Sequence, residues 1–167
     1  EATRPPQGAT RRMTTDTSSP ATPVETPNQV RADTHESIGW WALLGFVTLG
    51  IALEALHGFK VSWYLDAGEE TRRLMWRLAH AHGTFLALVQ LGFAASLRRL
   101  PSTTSAPRRI GSPCLLAGSL LIPAGFFLGG IDAYGADPGP GIAVLPLGAA
   151  LLLVAITCMA VSTRRSR

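Results

Sequence analysis

The sequence predicts an all-α protein, a four-transmembrane-helix antiparallel bundle with a disordered N-terminal tail. Its 167 residues are 47% hydrophobic and only 16% charged, whereas an average soluble domain carries about 25% charged residues. The charges also gather in tails and loops, which leaves four long stretches nearly free of them. Stretches of this length that are apolar on every face are typical of helices in lipid and not of amphipathic helices in a soluble bundle.

The N-terminal segment, residues 1–36, is rich in proline, threonine, serine and charge, and it has almost no large apolar side chains. Such a composition cannot bury enough surface to offset the entropy lost when the chain is ordered. We therefore expect a disordered tail. No short apolar core with a small-residue cleavage site follows residues 1–12, so we expect the first hydrophobic helix to serve as an uncleaved insertion signal.

The first helix is predicted at about 39–65 because aromatic residues mark both of its ends. Trp41 stands near one end, and Trp63 and Tyr64 stand at the other. From Trp41 to Trp63 a helix rises roughly 33 Å. This length matches a bilayer hydrocarbon core of about 30 Å, whose two interfaces favour tryptophan and tyrosine.

Three further apolar stretches end at charged or turn-rich loops and predict three more membrane-spanning helices. These lie at about 74–97, 113–130 and 142–162, giving a transmembrane domain at 37–162 and a basic C-terminal tail at 163–167. The connections are short, so we expect consecutive helices to be antiparallel neighbours.

Positive charge is distributed unequally among the loops. The loop at 98–109 carries four arginines and the C-terminal tail carries three, whereas the loop at 131–141 has no lysine or arginine. The positive-inside rule then places both termini in the cytoplasm, with a bacterial inner membrane as the expected location. Arg72 and Arg73, between the first two helices, argue against this orientation.

We expect the lipid bilayer, a homo-oligomer or a larger membrane complex as partners, and no nucleic acid, because the arginines flank apolar stretches without forming one basic face.

Titratable residues inside the predicted first two helices form the candidate site. Glu54, His57 and Lys60 follow one another at steps of three residues, so they share one helix face. Arg77 and His80 share a face at the start of the second helix. Ionisable groups in a membrane usually turn toward a bundle interior or a wet cavity. With a short connecting turn, His57 and His80 are expected roughly 7–9 Å below the same membrane surface, on its extracytoplasmic side.

His82 completes this set, which we call the polar slab: Glu54, His57, Lys60, Arg77, His80 and His82. On a regular helix His80 and His82 point about 200° apart. We therefore expect His80 to face the first helix and His82 to face another helix or the interface. Asp132, in a loop on the same side, is a secondary candidate.

Three chemistries would use the polar slab. The first is haem b held between His57 and His80, with Lys60 and Arg77 near the propionates. The second is a transition-metal ion bound by Glu54, His57 and His80, because the E-x-x-H spacing places a carboxylate and an imidazole on one face. The third is a proton relay through Glu54 and His57. The structural alternative is a buried ion pair of Glu54 with Lys60 or Arg77 that fixes helix register beside hydrogen-bonded histidines.

These chemistries and the structural alternative lead to three hypotheses for the function. The leading one is a small multi-pass membrane protein that binds haem or a metal ion between its first two helices, in an electron-transfer or accessory role. The alternative is a non-catalytic assembly or scaffold subunit whose polar contacts only fix helix packing. The third is a proton or small-solute transporter that works as an oligomer. The sequence contains no phosphate-binding loop, dinucleotide fingerprint or nucleophile elbow, so we do not expect an enzyme of those classes.

Overall fold

The computed structural model describes residues 25–65, 70–133 and 136–165. Within these ranges the chain is helical and contains no strand, which confirms the all-α prediction. The helices are α1 (Pro27–Gly58), α2 (Ser62–Leu65), α3 (Glu70–Arg99), α4 (Ser112–Ile131) and α5 (Leu145–Arg165). A π-helical turn, Pro107–Gly111, leads into α4, and a 3₁₀ turn, Pro140–Val144, leads into α5.

Four helices, α1, α3, α4 and α5, are long and apolar enough to cross a membrane. The most apolar stretches of α3 and α4 are each 39% buried within the protein, whereas those of α1 and α5 are each only 11% buried. The two central helices therefore supply most of the core, and the two outer helices present most of their surface outward. Four such helices are compatible with a multi-pass membrane protein.

The helices pack in chain order, with α1 against α3, α3 against α4, and α4 against α5. Short connections favour this arrangement, because they make consecutive long helices antiparallel neighbours. Two ends of the bundle can be distinguished. The arginine end contains the start of α1 and the turn with Arg108, and the tryptophan end contains Trp63 and Trp76. A buried apolar cluster lies toward the arginine end and comprises Ala32, Phe93, Ala94, Leu97, Leu115 and Ala155.

Glycines of α4 allow it to approach α5 closely. A Cβ atom added to Gly118 would lie 3.0 Å from the carbonyl oxygen of Gly148. A Cβ atom added to Gly125 would lie 2.8 Å from Leu145 Cδ2. Small residues at such positions let helix backbones meet, which matters in lipid because apolar side chains gain little there by leaving the solvent.

Helix α1 begins at Pro27, so the predicted disordered tail at 1–36 is wrong for its last ten residues. Thr26 accepts a hydrogen bond from the Gln29 backbone, and the Gln29 side chain accepts one from the Thr26 backbone. This capping box, followed by proline at the first helical position, is a strong local start signal. Residues 1–24 of the predicted tail lie outside the described residues.

Helix α1 ends at Gly58 and does not continue to residue 65 as predicted. Lys60 has a left-handed backbone conformation with φ 52°. Its N–H donates to the His57 carbonyl oxygen at 3.1 Å, and the N–H of Val61 donates to the Leu56 carbonyl oxygen at 3.1 Å. This is the Schellman pattern of helix termination, with lysine at the position that glycine usually occupies.

Replacing Lys60 with glycine is expected to stabilise the protein by about 1 kcal/mol, because glycine adopts the left-handed conformation without the Cβ penalty. The measurement is thermal unfolding of the purified protein in detergent, followed by circular dichroism. Lys60→Ala is the matched control, since it removes the charge but keeps the strain. Equal melting temperatures for the glycine and alanine variants would contradict the assignment of this cap.

Candidate functional site

The structure does not bring the polar slab together. Glu54 and His57 are exposed on α1, and Lys60 is exposed beyond the end of that helix. Arg77 is exposed near the start of α3. These four side chains therefore do not form the predicted cluster in the interior of the bundle.

His80 does face α1, but it meets that helix far from His57. Its Nδ1 lies 2.7 Å from the carbonyl oxygen of Phe46, to which it can donate a hydrogen bond. The imidazole also covers Gly50 so closely that a Cβ atom there would collide with the ring. His57 is seven residues beyond Gly50, which corresponds to about 10 Å along α1.

The predicted helix ends explain this displacement. The sequence predicts the end of the first helix at residue 65 and the start of the second at residue 74, whereas α1 ends at Gly58 and α3 begins at Glu70. In an antiparallel pair, the two helix ends at the connection set which residues lie opposite each other. Shortening α1 and extending α3 therefore moves the contact of His80 toward the start of α1 by about two turns.

His82 lies on a different side of α3 from His80. Its Nδ1 is 2.9 Å from the carbonyl oxygen of Leu78, one turn earlier in the same helix. Its ring centroid is 4.7 Å from that of Phe126 in α4. His82 therefore contacts another helix, as expected. The secondary candidate, Asp132, is exposed just after the end of α4.

The predicted metal ligands are not arranged to hold an ion. Across residues 25–65, 70–133 and 136–165, no group of three or more histidine, cysteine, aspartate or glutamate side chains could hold a metal. Glu54, His57 and His80 consequently do not form the expected ligand set. A haem held between two histidines needs both rings to face a common centre, and His57 and His80 do not.

A different histidine, His35, is fully buried between three helices. Its Nδ1 bonds to the Gln90 side-chain oxygen on α3, and its Nε2 lies 2.8 Å from Ser112 Oγ at the start of α4. Gln90 Nε2 in turn donates to Ser119 Oγ at 3.0 Å. We call these four residues the His35 cluster. The His35 ring also packs on Phe93, with 4.7 Å between ring centroids.

The hydrogen bonds of the His35 cluster fix which atoms are donors and which are acceptors. Because the Gln90 amide nitrogen donates to Ser119, its oxygen accepts, and His35 Nδ1 must carry the proton. A neutral His35 then accepts at Nε2 from the Ser112 hydroxyl. In the described part of the chain, Ser119 makes only the bond that it accepts from Gln90, so its own hydrogen remains available to another acceptor.

The His35 cluster joins α1, α3 and α4 through side-chain hydrogen bonds. Ser112 and Ser119 are seven residues apart on α4, so they lie on one face two turns apart. A buried polar group left without a partner costs about 1–3 kcal/mol. A network whose members satisfy each other therefore favours one helix arrangement over alternatives that separate them.

Asn28 makes a second buried contact at the arginine end. It is 1% exposed, and its Nδ2 donates to the carbonyl oxygens of Leu100 and Pro101, both at 3.2 Å. Arg108 Nη1 donates to Asn28 Oδ1 at 2.8 Å. These bonds hold the start of α1 against the loop that follows α3.

The ion pairs at this end are exposed. Arg98 bonds to Asp33 Oδ1 at 2.7 Å and also to Glu36. The predicted pairing of Glu54 with Lys60 or Arg77 is not among the ion pairs of the described residues. Exposed pairs contribute only about 0–1 kcal/mol each, so the buried Asn28 and His35 contacts dominate here.

Aromatic side chains cover the tryptophan end. Trp76 stacks on Tyr64 and on Phe127, with ring centroids 6.5 Å and 5.6 Å away. Trp63 meets Trp76 edge-on at 6.2 Å. Trp76 Nε1 also donates to the carbonyl oxygen of Phe127 at 3.2 Å. Amphipathic aromatic rings of this kind favour the membrane interface.

A cavity of about 340 Å³ lies between α1, α3 and α4, next to the His35 cluster. Small residues of α3, Ala79, Gly83 and Ala87, recur every four residues along it. Gln90 and Ser119 are the two polar side chains in an otherwise apolar lining. Cavities of about 300–1,000 Å³ with apolar walls and a few placed polar groups are typical of small-molecule sites.

Sequence reasoning missed both central members of the His35 cluster. His35 lies in the segment predicted as a tail, and Gln90 lies inside an apolar stretch predicted as a membrane-spanning helix. Two signals were present: the Thr26–Gln29 capping box, which starts α1 early enough to include His35, and the isolated amide of Gln90 in the middle of a membrane-spanning run.

No family model, curated protein or solved structure matches this chain.

The His35→Ala variant is expected to lose about 2–4 kcal/mol of stability, because it leaves Gln90 and Ser112 without partners and opens a void. His57→Ala is the matched control on the same helix, and its exposed side chain should be replaceable within about 0.5 kcal/mol. Thermal unfolding in detergent measures both. Similar losses for the two variants would show that the His35 cluster does not hold the helices together.

Proposed function

We propose that the protein is a non-catalytic structural subunit of a membrane assembly, in which a buried histidine, His35, and a partly buried one, His80, fix helix packing. The observation that supports this most directly is the set of hydrogen bonds that the imidazole rings make between helices. His35 bonds side chains of two neighbouring helices, and His80 bonds the backbone of α1. Glu54 and His57, which a cofactor site between the first two helices would need, are exposed on the outer surface.

The depth of Glu54 also favours a structural role. Antiparallel pairing places Gly50 against His80, so Glu54 lies one turn beyond, near the level of Trp76. Trp76 belongs to the aromatic cluster at the tryptophan end, which suits a membrane interface. At that level an exposed carboxylate is within reach of water, lipid headgroups or a neighbouring subunit, and it carries little of the cost that it would have in hydrocarbon.

Haem or metal binding is the second candidate, because of one feature of His80 and His82. Each donates Nδ1–H to a backbone carbonyl oxygen in the described structure, which leaves Nε2 as the available lone pair. Metal-ligating histidines are commonly oriented in this way. The two rings contact different helices, however, so they would have to ligate separate groups.

A relay or transport role has less support. Glu54 and His57, the proposed relay, do not line the cavity between α1, α3 and α4. Exposed on the outside of α1, they connect no internal path in the described structure.

A bacterial inner membrane and cytoplasmic termini stay predictions from the arginine distribution.

Absorption spectroscopy and metal analysis of the protein purified in mild detergent separate the first two candidates. A structural subunit is expected to be colourless and free of stoichiometric metal, and His80→Ala should lower the melting temperature because it removes the bond to Phe46. His57→Ala should leave it unchanged. A Soret band, or one bound metal per chain, that disappears in His80→Ala would overturn the proposal.

Membership in an assembly predicts a lateral neighbour at the outward face of α1. A photo-crosslinking residue at position 54 is expected to give one discrete protein adduct in native membranes, either a second copy of the chain or another subunit. The same residue at exposed position 102, in the loop after α3, serves as the control for random collisions. Only lipid adducts at position 54, or the same adducts at both positions, would contradict an assembly through this face.

A further inference from the structure

The cavity between α1, α3 and α4 is a narrow slot. Its lining runs from Ala79 to Gln90 on α3, a distance of about 16 Å at 1.5 Å per residue. The lining segments of α1, 38–49, and of α4, 116–127, have the same length. A volume of about 340 Å³ over this length corresponds to a cross-section of roughly 20 Å². The slot is therefore wide enough for one hydrocarbon chain.

The slot has a polar end and an apolar end. Gln90 and Ser119 lie at the end nearer the arginines, and the remaining lining side chains are apolar. Gln90 is 1% exposed, and its orientation is held by His35. Ser119 is only partly buried, and its hydroxyl accepts from Gln90 while keeping its own hydrogen for a further acceptor. The polar end therefore offers a hydrogen-bond donor to a ligand oxygen.

The polar end has no positively charged side chain to pair with an anionic headgroup. Ser119 is seven residues from Ser112, and Gln90 is eight residues from Arg98. Both distances correspond to about 10–12 Å along a helix. No lysine or arginine lines the slot, so an anionic group placed there would be unpaired in a medium of low dielectric constant. These conditions select an uncharged oxygen function.

The slot is also accessible from the side. The principal packing pairs are α1 with α3 and α3 with α4, so α1 and α4 stand apart across the face of α3. The bond between His35 and Ser112 joins them near the arginine end. A ligand dissolved in the bilayer would enter between α1 and α4 without passing through water.

We propose that this slot binds a single-chain lipid that ends in an uncharged oxygen group, a long-chain alcohol or ketone. The hydrocarbon chain lies along Ala79, Gly83 and Ala87, and the oxygen accepts a hydrogen bond from Ser119. This binding function goes beyond the structural role proposed above, and it does not depend on that role.

The test compares three probes with the same chain length: dodecanol, dodecane and dodecanoate. Each is added to the full-length protein in digitonin, a detergent without an alkyl chain to compete for the slot. Dodecanol is expected to raise the melting temperature by several degrees, because a ligand that binds only the folded state stabilises it. Dodecane and dodecanoate should give clearly smaller shifts. Equal shifts for dodecanol and dodecane would overturn the proposed role of Ser119.

Matched variants test whether the rise in melting temperature with dodecanol comes from binding in the slot. Ala42→Leu fills the slot from α1, and Ala52→Leu makes the same change at an exposed position of the same helix. The dodecanol shift should disappear in the first variant and persist in the second. If Ala42→Leu does not fold, Ala124→Leu fills the slot from α4 instead.

Ser119→Ala tests the hydrogen bond separately from the volume. This variant should keep the apolar slot and lose the preference for dodecanol over dodecane. A dodecanol shift that survives slot filling, or a preference that survives Ser119→Ala, would overturn the proposal.

Discussion

The structure depends on one buried hydrogen-bonded contact, that of His35 with Gln90 and Ser112. In lipid, apolar side chains gain little by moving from hydrocarbon to a helix surface, so close packing and polar bonds must hold helices together. The contact of His35 is the point where α1, α3 and α4 are joined by side chains. Because α1 otherwise packs mainly on α3, this contact and the bond of Asn28 to Arg108 decide how α1 lies relative to α4.

The same contact shapes the slot beside it. Gln90 bonds His35 through its oxygen and Ser119 through its nitrogen, so one amide orients both the helix junction and the polar end of the cavity. Small residues on α3 leave the remaining space empty of side chains. The His35 contact at one end and the small residues of α3 along the cavity together leave this space open, while α1 and α4 both stay packed against α3.

The end of α1 near Lys60 and the start of α3 set the register between these two helices. A Schellman motif ends α1 at Gly58, and α3 begins at Glu70. That register places His35 against Gln90 and Gly50 against His80. It also moves Glu54 and His57 to the outer surface near the tryptophan end, where titratable side chains are inexpensive.

The sequence by itself determined the all-α class and the four apolar helices. It also contains the Thr26–Gln29 capping box at the start of α1, although the composition of residues 1–36 predicts a tail there. These are local properties, since hydropathy and capping depend on residues within a few turns of each other. Only the tertiary structure decided which polar residues meet. Lys60 in a left-handed conformation shortens α1, and a change of a few residues at a helix end moves an antiparallel partner by turns and rotates it to another face. For that reason the predicted pairing of His57 with His80 is wrong, and the contact between His35 and Gln90 is seen only in the folded chain.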